Sequence, residues 1–81
     1  MEKIITNSVF SENLKKIRKE SGLTQEKTVE ELNLLGSTIS RSTYSLIEMG
    51  RGNIFISDLV GLQEIFKVDY AEFFKGVSVQ R

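Results

Sequence analysis

The sequence predicts an all-α protein, a compact five-helix bundle. Three observations carry that expectation. Apolar residues recur at helical spacing in one segment after another. Hydroxyl residues stand where helices would begin, and glycines where they would end. At 81 residues, the chain has room for one core and lies near the small end of what folds without covalent staples. A single domain over 1–81 is expected, with its core over 8–75 and peripheral termini at 1–7 and 76–81.

The first helix should start near Ser8. Phe10, Leu14 and Ile17 fall at i, i+4, i+7 and form a core stripe, leaving Lys15, Lys16, Lys19 and Glu20 to water. Gly22 stands where a left-handed cap would end that helix. Thr24 is the expected N-cap of the second, with Glu26 in the first turn favourable to the dipole; Lys27 at N3 excludes a capping box. The second helix reads on through Val29, Leu32 and Leu35 and stops at Gly36. The third runs from Ser40 as N-cap to Gly50 just beyond its end. Gly50-Arg51-Gly52-Asn53 reads as a loop.

Ile54-Phe55-Ile56 resembles a strand by composition, but in so small a helical domain an apolar linker buried under the bundle is the expectation. Ser57 is positioned to cap a fourth helix carrying Leu59, Leu62, Ile65 and Phe66, in which Gly61 costs about 1 kcal/mol relative to alanine. Asp69 and Glu72 have the spacing of an acidic capping box opening a short fifth helix with Phe73 and Phe74. Two readings of the ends stay open. Ile4-Ile5-Thr6 and Val77-Ser78-Val79 carry β-branched residues that suit a two-stranded ribbon, and frayed termini suit the same sequence.

Composition removes several kinds of function. Cysteine and histidine are absent, so disulfides, thiol chemistry, the commonest metal ligand and the usual proton shuttle are missing. No metal or cofactor is expected. No apolar run approaches the ~20 residues of a membrane span, and no signal peptide opens the chain, so no membrane partner and a cytoplasmic location are expected. Glu26 and Glu30 share a helix face at i, i+4. Without a pocket, a histidine or a metal motif they read as a solvated charged face, and no enzymatic activity is expected. The net charge is +0. Its distribution is uneven: Lys15, Lys16, Arg18 and Lys19 cluster on the first helix, Arg41 and Arg51 bracket the third, and Glu26, Glu30 and Glu31 make the second acidic.

The third helix is the informative one. With Tyr44 and Ile47 (i, i+3) pointing inward, Ser42, Ser45, Leu46 and Met49 share the opposite face, with Arg41 at its N-terminal edge. An outward face of small and semi-polar groups suits a surface that fits closely against something. Together with Leu14-Lys15-Lys16-Ile17-Arg18, Gly22-Leu23-Thr24-Gln25-Glu26, Ile39 to Gly50, and Leu59, Leu62 and Phe66, it resembles the Cro/cI-type helix-turn-helix family, also called XRE-like or lambda-repressor-like. The resemblance runs from about Phe10 to Phe74. One departure stands out: Asn33-Leu34-Leu35-Gly36-Ser37-Thr38 lengthens the connection between the second and third helices by about five residues. An added helical turn plus a longer loop is expected there, with Leu34 or Leu35 exposed.

The resemblance implies a double-stranded DNA partner and a set of contacts. Gln25 matches the glutamine that bridges the DNA backbone and the opening of the reading helix. Arg41 and Ser42 match the two positions that most often touch bases. An arginine there either forms a bidentate pair with guanine, worth about 1–3 kcal/mol of discrimination, or grips phosphate and positions without specifying. Leu46 replaces the family's usual long polar or basic side chain; it either presses on a thymine methyl or packs on the lengthened turn or a protein partner. Ser45 is a secondary contact, and Arg51 and Asn53 lie in the phosphate-gripping loop. Arg18 and Glu48 match a structural ion pair between the first and third helices.

The expected function is therefore sequence-specific DNA binding by a homodimeric regulator acting as a repressor, with few cations and so modest affinity. Tyr70, Phe73 and Phe74, or the terminal ribbon, are the dimerisation candidates. The alternative is a protein-interaction module on the same fold, an antitoxin or adaptor, favoured by the neutral charge, the acidic second helix, Leu46 and the Leu34-Leu35 extension.

Overall fold

The computed structural model of the chain describes residues 3–5 and 7–79. A short strand β1 (Lys3–Ile5) precedes α1 (Ser8–Glu20), α2 (Gln25–Leu34), α3 (Arg41–Glu48), a second strand β2 (Asn53–Phe55), α4 (Ile56–Phe66) and α5 (Tyr70–Phe74).

Side-chain caps define the first three helices. Asn7 accepts the Phe10 amide at 2.7 Å, Thr24 the Lys27 amide at 3.0 Å and Ser40 the Thr43 amide at 3.2 Å, each satisfying a donor the helix itself leaves free. The exits of α1 and α3 lie beside glycines in the left-handed region, Gly22 at φ +81° and Gly50 at +74°, a conformation costly to any residue with a Cβ.

The five helices pack their apolar stripes into one core of Phe10, Leu14, Ile17, Val29, Leu32, Tyr44, Ile47, Ile54, Leu59, Leu62, Phe66 and Phe73. α2 approaches α4 closely at Gly61, where a Cβ would stand 2.8 Å from Leu32 Cδ2. The helix-propensity cost of that glycine thus goes with tight packing. At the other end α5 lies on α1. Phe10 meets the rings of Phe73 and Phe74 at 6.3 and 5.4 Å, and the Asn13 amide donates to the carbonyls of Phe73 and Lys75 at 2.9 and 2.8 Å.

Five expectations need correction. Ile54-Phe55-Ile56 is not a linker: Asn53–Phe55 is a strand, antiparallel to β1 with Lys3 opposite Phe55, Ile4 opposite Ile54 and Ile5 opposite Asn53. A ribbon to the N-terminal segment therefore exists, but its partner is not Val77-Ser78-Val79; Thr6 lies outside the described residues. The reason is the path after α3. The turn at Gly50 passes beside Ser8, 3.5 Å from a Cβ built on Gly50 to Ser8 Cα, so the chain emerges next to the segment that leads into α1. Val77 instead packs against the core, its amide donating to the Phe74 carbonyl at 2.9 Å.

Ser57 does not cap α4, which begins at Ile56, two residues earlier than a Ser57 cap would set it, with Phe55 in the cap position and no side-chain cap bond. The strand runs straight into the helix, so Phe55 is both the last paired residue and the cap position, and Ser57 falls inside the first turn. Asp69 makes no side-chain cap bond either. The Glu72 amide donates to the Asp69 carbonyl at 2.9 Å, and the Glu72 carboxylate turns to Lys75 at 3.3 Å. In a helix of five residues the tight backbone turn replaces the box. Finally, Phe73 cannot dimerise the protein: it is fully buried, whereas Tyr70 and Phe74 remain about two-fifths exposed. On so short a helix one aromatic must serve the core.

Candidate nucleic-acid interface

The outward face of α3 follows from which of its residues the core takes. Tyr44, Ile47 and Glu48 are buried. Arg41, Ser42, Leu46 and Met49 are exposed and Ser45 is half-buried, so one side of the helix presents two serines, two apolar side chains and one cation. Leu46 is 42 % exposed. The following loop returns closely along the helix: the Arg51 amide donates to the Leu46 carbonyl at 2.9 Å, and the Arg51 side chain is exposed.

Behind this face, α3 is anchored to α1 by charge. Arg18 grips Glu48 through two bonds, Nε to Oε2 at 2.6 Å and a terminal nitrogen to Oε1 at 3.0 Å. Its other terminal nitrogen donates to the Leu23 carbonyl at 2.9 Å, in the turn before α2. The two side chains are 9 % and 2 % exposed. Burial would raise the Glu48 carboxyl, but the Arg18 hydrogen bonds, the nearby Tyr44 hydroxyl and the Gln25 amide outweigh it and hold it below the usual carboxylate range. The Glu48 hydrogen bond raises the Arg18 pKa. Tyr44 lies against the same pair. Burial first, then the neighbouring carboxylate, pushes its ionisation upward, so the phenol stays neutral; its hydroxyl has no well-formed hydrogen bond among the described residues.

Gln25 connects the buried pair to the surface. Its amide nitrogen donates to Glu48 Oε1 at 3.0 Å and its amide oxygen accepts from Arg41 Nε at 3.4 Å. Arg18, Glu48, Gln25 and Arg41 thus form one chain of polar contacts from α1 through α3 and α2 to the leading residue of α3. Asn53 lies elsewhere. It lines a groove of about 500 Å³ with Ser37, Ser40, Thr43, Phe55 and Asp58, on the side of α3 that faces the lengthened connection. The structure therefore brings Gln25 and Arg41 together, keeps Ser42, Ser45 and Leu46 on one face, leaves Arg51 exposed in the loop after α3, and sets Asn53 apart in the groove.

Sequence reasoning missed two polar residues that hold this arrangement. Ser11 Oγ donates to the Ile47 carbonyl at 2.6 Å, a buried link from α1 to α3. Asn33, at the end of α2, donates its amide to the carbonyls of Ser37 and Ile39 at 2.9 and 3.2 Å. The second had a signal: an asparagine directly before an inserted loop often bonds nearby backbone.

Residues 14–73 match the helix-turn-helix family. The chain belongs to that family. The matched span of this helix-turn-helix protein includes Arg18, Glu48 and every candidate contact from Gln25 to Asn53, and it excludes β1, so the ribbon lies at the edge of the shared unit. The chain is similar to YqaE of Bacillus subtilis (strain 168), described as an uncharacterized HTH-type transcriptional regulator, with 33% identity over 73 residues. That alignment covers 90% of this chain and 59% of YqaE, so the chain spans about three-fifths of that relative's length. No solved structure matches it. Among the described residues no helix is long and apolar enough to cross a membrane.

Proposed function

We propose that this chain is a sequence-specific DNA-binding transcriptional regulator that inserts α3 into the major groove. The observation that carries this reading is the sparsely charged outward face of α3, headed by Arg41 and braced from behind by the Arg18–Glu48 pair. A rigid helix with its N-terminal residues free is what base-edge reading requires. In this reading Arg41 and Ser42 meet bases, Ser45 and Leu46 follow along the groove with Leu46 against a thymine methyl, and Gln25, Arg51 and Asn53 contact the phosphate backbone.

A lone module of this kind buries only ~600–1,000 Å² of surface against DNA and reads few bases. The chain is therefore proposed to act as a homodimer on half-sites ~34–36 Å apart, with the exposed rings of Tyr70 and Phe74 on α5 as the contact. It represses where such a site overlaps a promoter. Selection from random oligonucleotides tests the reading: a palindromic consensus supports it, and absence of enrichment even at low salt overturns it. Arg41→Ala is expected to abolish preference at one base pair, with about 1–3 kcal/mol of discrimination lost. A uniform loss across sequences would reassign Arg41 to phosphate, and unchanged binding would remove it from the interface.

One observation favours a second reading, a protein-interaction module such as an antitoxin or adaptor. Leu34 is 81 % and Leu35 54 % exposed, beside Glu31, Glu64, Ile65 and Lys67. An apolar pair with acidic neighbours suits a partner surface better than a phosphate backbone. The same selection experiment separates the two readings.

A further inference from the structure

The lengthened connection between α2 and α3 would be expected to loosen the entry to the reading helix, because six residues, 35–40, separate Leu34 from Arg41. It is instead bonded at several points. The Ser37 amide donates back to the Leu32 carbonyl at 3.0 Å, and the Ile39 amide donates to Ser37 Oγ at 3.1 Å. Ser40 then caps α3 by accepting the Thr43 amide, and its hydroxyl donates to Thr43 Oγ1 at 3.0 Å. Asn33, just ahead of the excursion, bonds it at two further points with its side chain. Its single amide nitrogen bonds the Ser37 carbonyl in mid-loop and the Ile39 carbonyl one residue before the cap.

We infer that Asn33 is a positioning residue for DNA reading: it fixes where Ser40 starts α3 and so aims Arg41 and Ser42. This rests on the DNA-binding reading above, and Asn33 itself touches no base in it. The chemistry is demanding. Both partners are carbonyls, so the residue must supply two N–H donors from one nitrogen, which asparagine does and its isostere aspartate cannot. A carboxylate at this position would face two carbonyl oxygens and drive the loop away. Asn33 is exposed, so its replacement leaves no cavity and no buried unpaired group. Its loss therefore acts on the geometry of the loop rather than on the core.

Two measurements on the full chain, with Asn33→Ala and Asn33→Asp, test this. The first is amide hydrogen exchange in free protein. The amides of Ile39, Thr43 and Tyr44 are expected to exchange about tenfold faster in either variant, while those of α1 and of α2 before Asn33 stay as in the parent; a tenfold change corresponds to about 1.4 kcal/mol of local opening. The second is the ratio of affinities for the selected operator and for scrambled DNA of equal length. That ratio is expected to fall about tenfold with little change in scrambled-DNA binding, because phosphate contacts tolerate a misaimed helix. A residue that merely stabilised the fold would lower both affinities alike and speed exchange throughout. Unchanged exchange at Ile39 and Thr43, or an unchanged ratio in a parent that discriminates, overturns the assignment. If the parent shows no sequence preference yet the local exchange rises, the hold of Asn33 on the loop and on the start of α3 stands, and the DNA-binding reading fails.

Discussion

At the C-terminal end of α3, Glu48 sits in a dry fork made by Arg18 and the Ile47 carbonyl takes a buried hydroxyl from Ser11. At the N-terminal end, Ser40, Thr43 and Asn33 hold the helix through neutral bonds at the surface. The two ends are secured with different strength for a physical reason. Low dielectric strengthens a paired charge and makes an abandoned partner costly. Exposed neutral bonds replace bonds to water and net only about 0.5–1.5 kcal/mol each. A helix anchored at its tail by charge and tethered at its head by weaker neutral bonds keeps its tilt, with its head the end that is more easily re-aimed. That division suits the role proposed for α3, in which its first turn meets the bases.

The largest test of this contrast is Glu48→Ala. It strands the buried Arg18 guanidinium and removes the acceptor that orients Gln25. Stability in denaturant titration is expected to fall by about 3–5 kcal/mol. A loss below about 1 kcal/mol, typical of exposed pairs, would place the two ends on equal footing.

A second test is acid. Because Glu48 is held below its ordinary value of 4.5 in the folded protein, its contribution is complete above that pH and is lost as pH falls through the lower folded value. The melting temperature of the parent should therefore drop below pH 4.5, and Glu48→Gln should flatten that acid limb. An acid limb of the same steepness in both proteins would assign the loss to other carboxylates. The smallest expected effect is at the head of the helix. Ser40→Ala removes one cap bond and should cost about 1 kcal/mol, measured by the same titration. A cost near that of Glu48→Ala would dissolve the distinction.

Local chemistry made much of this protein readable from its residues. Thr24, Ser40 and Gly50 mark helix ends because capping depends on a few neighbouring atoms. Tyr44 and Ile47 declare the inward side of α3 by spacing alone. The resemblance to the helix-turn-helix family supplied the Arg18–Glu48 pairing, which no local pattern could have shown across 30 residues of separation. Misreadings arose where the outcome depended on which segments meet. Asn53–Phe55 became a strand because the turn at Gly50 delivered it beside β1, and a strand of three residues has no identity without a partner. Phe73 left the surface because α5 docks on Phe10 of α1.

The sequence by itself determined the five helices, the caps at Thr24 and Ser40 and the outward row from Arg41 to Met49, since each depends on periodicity and short-range hydrogen bonding. Only the tertiary structure decided the ribbon's partner, which α5 ring enters the core, and that Asn33 bridges the inserted loop. Those are meetings between distant or irregular segments, and their energies exist only once the chain has brought the groups within bonding distance.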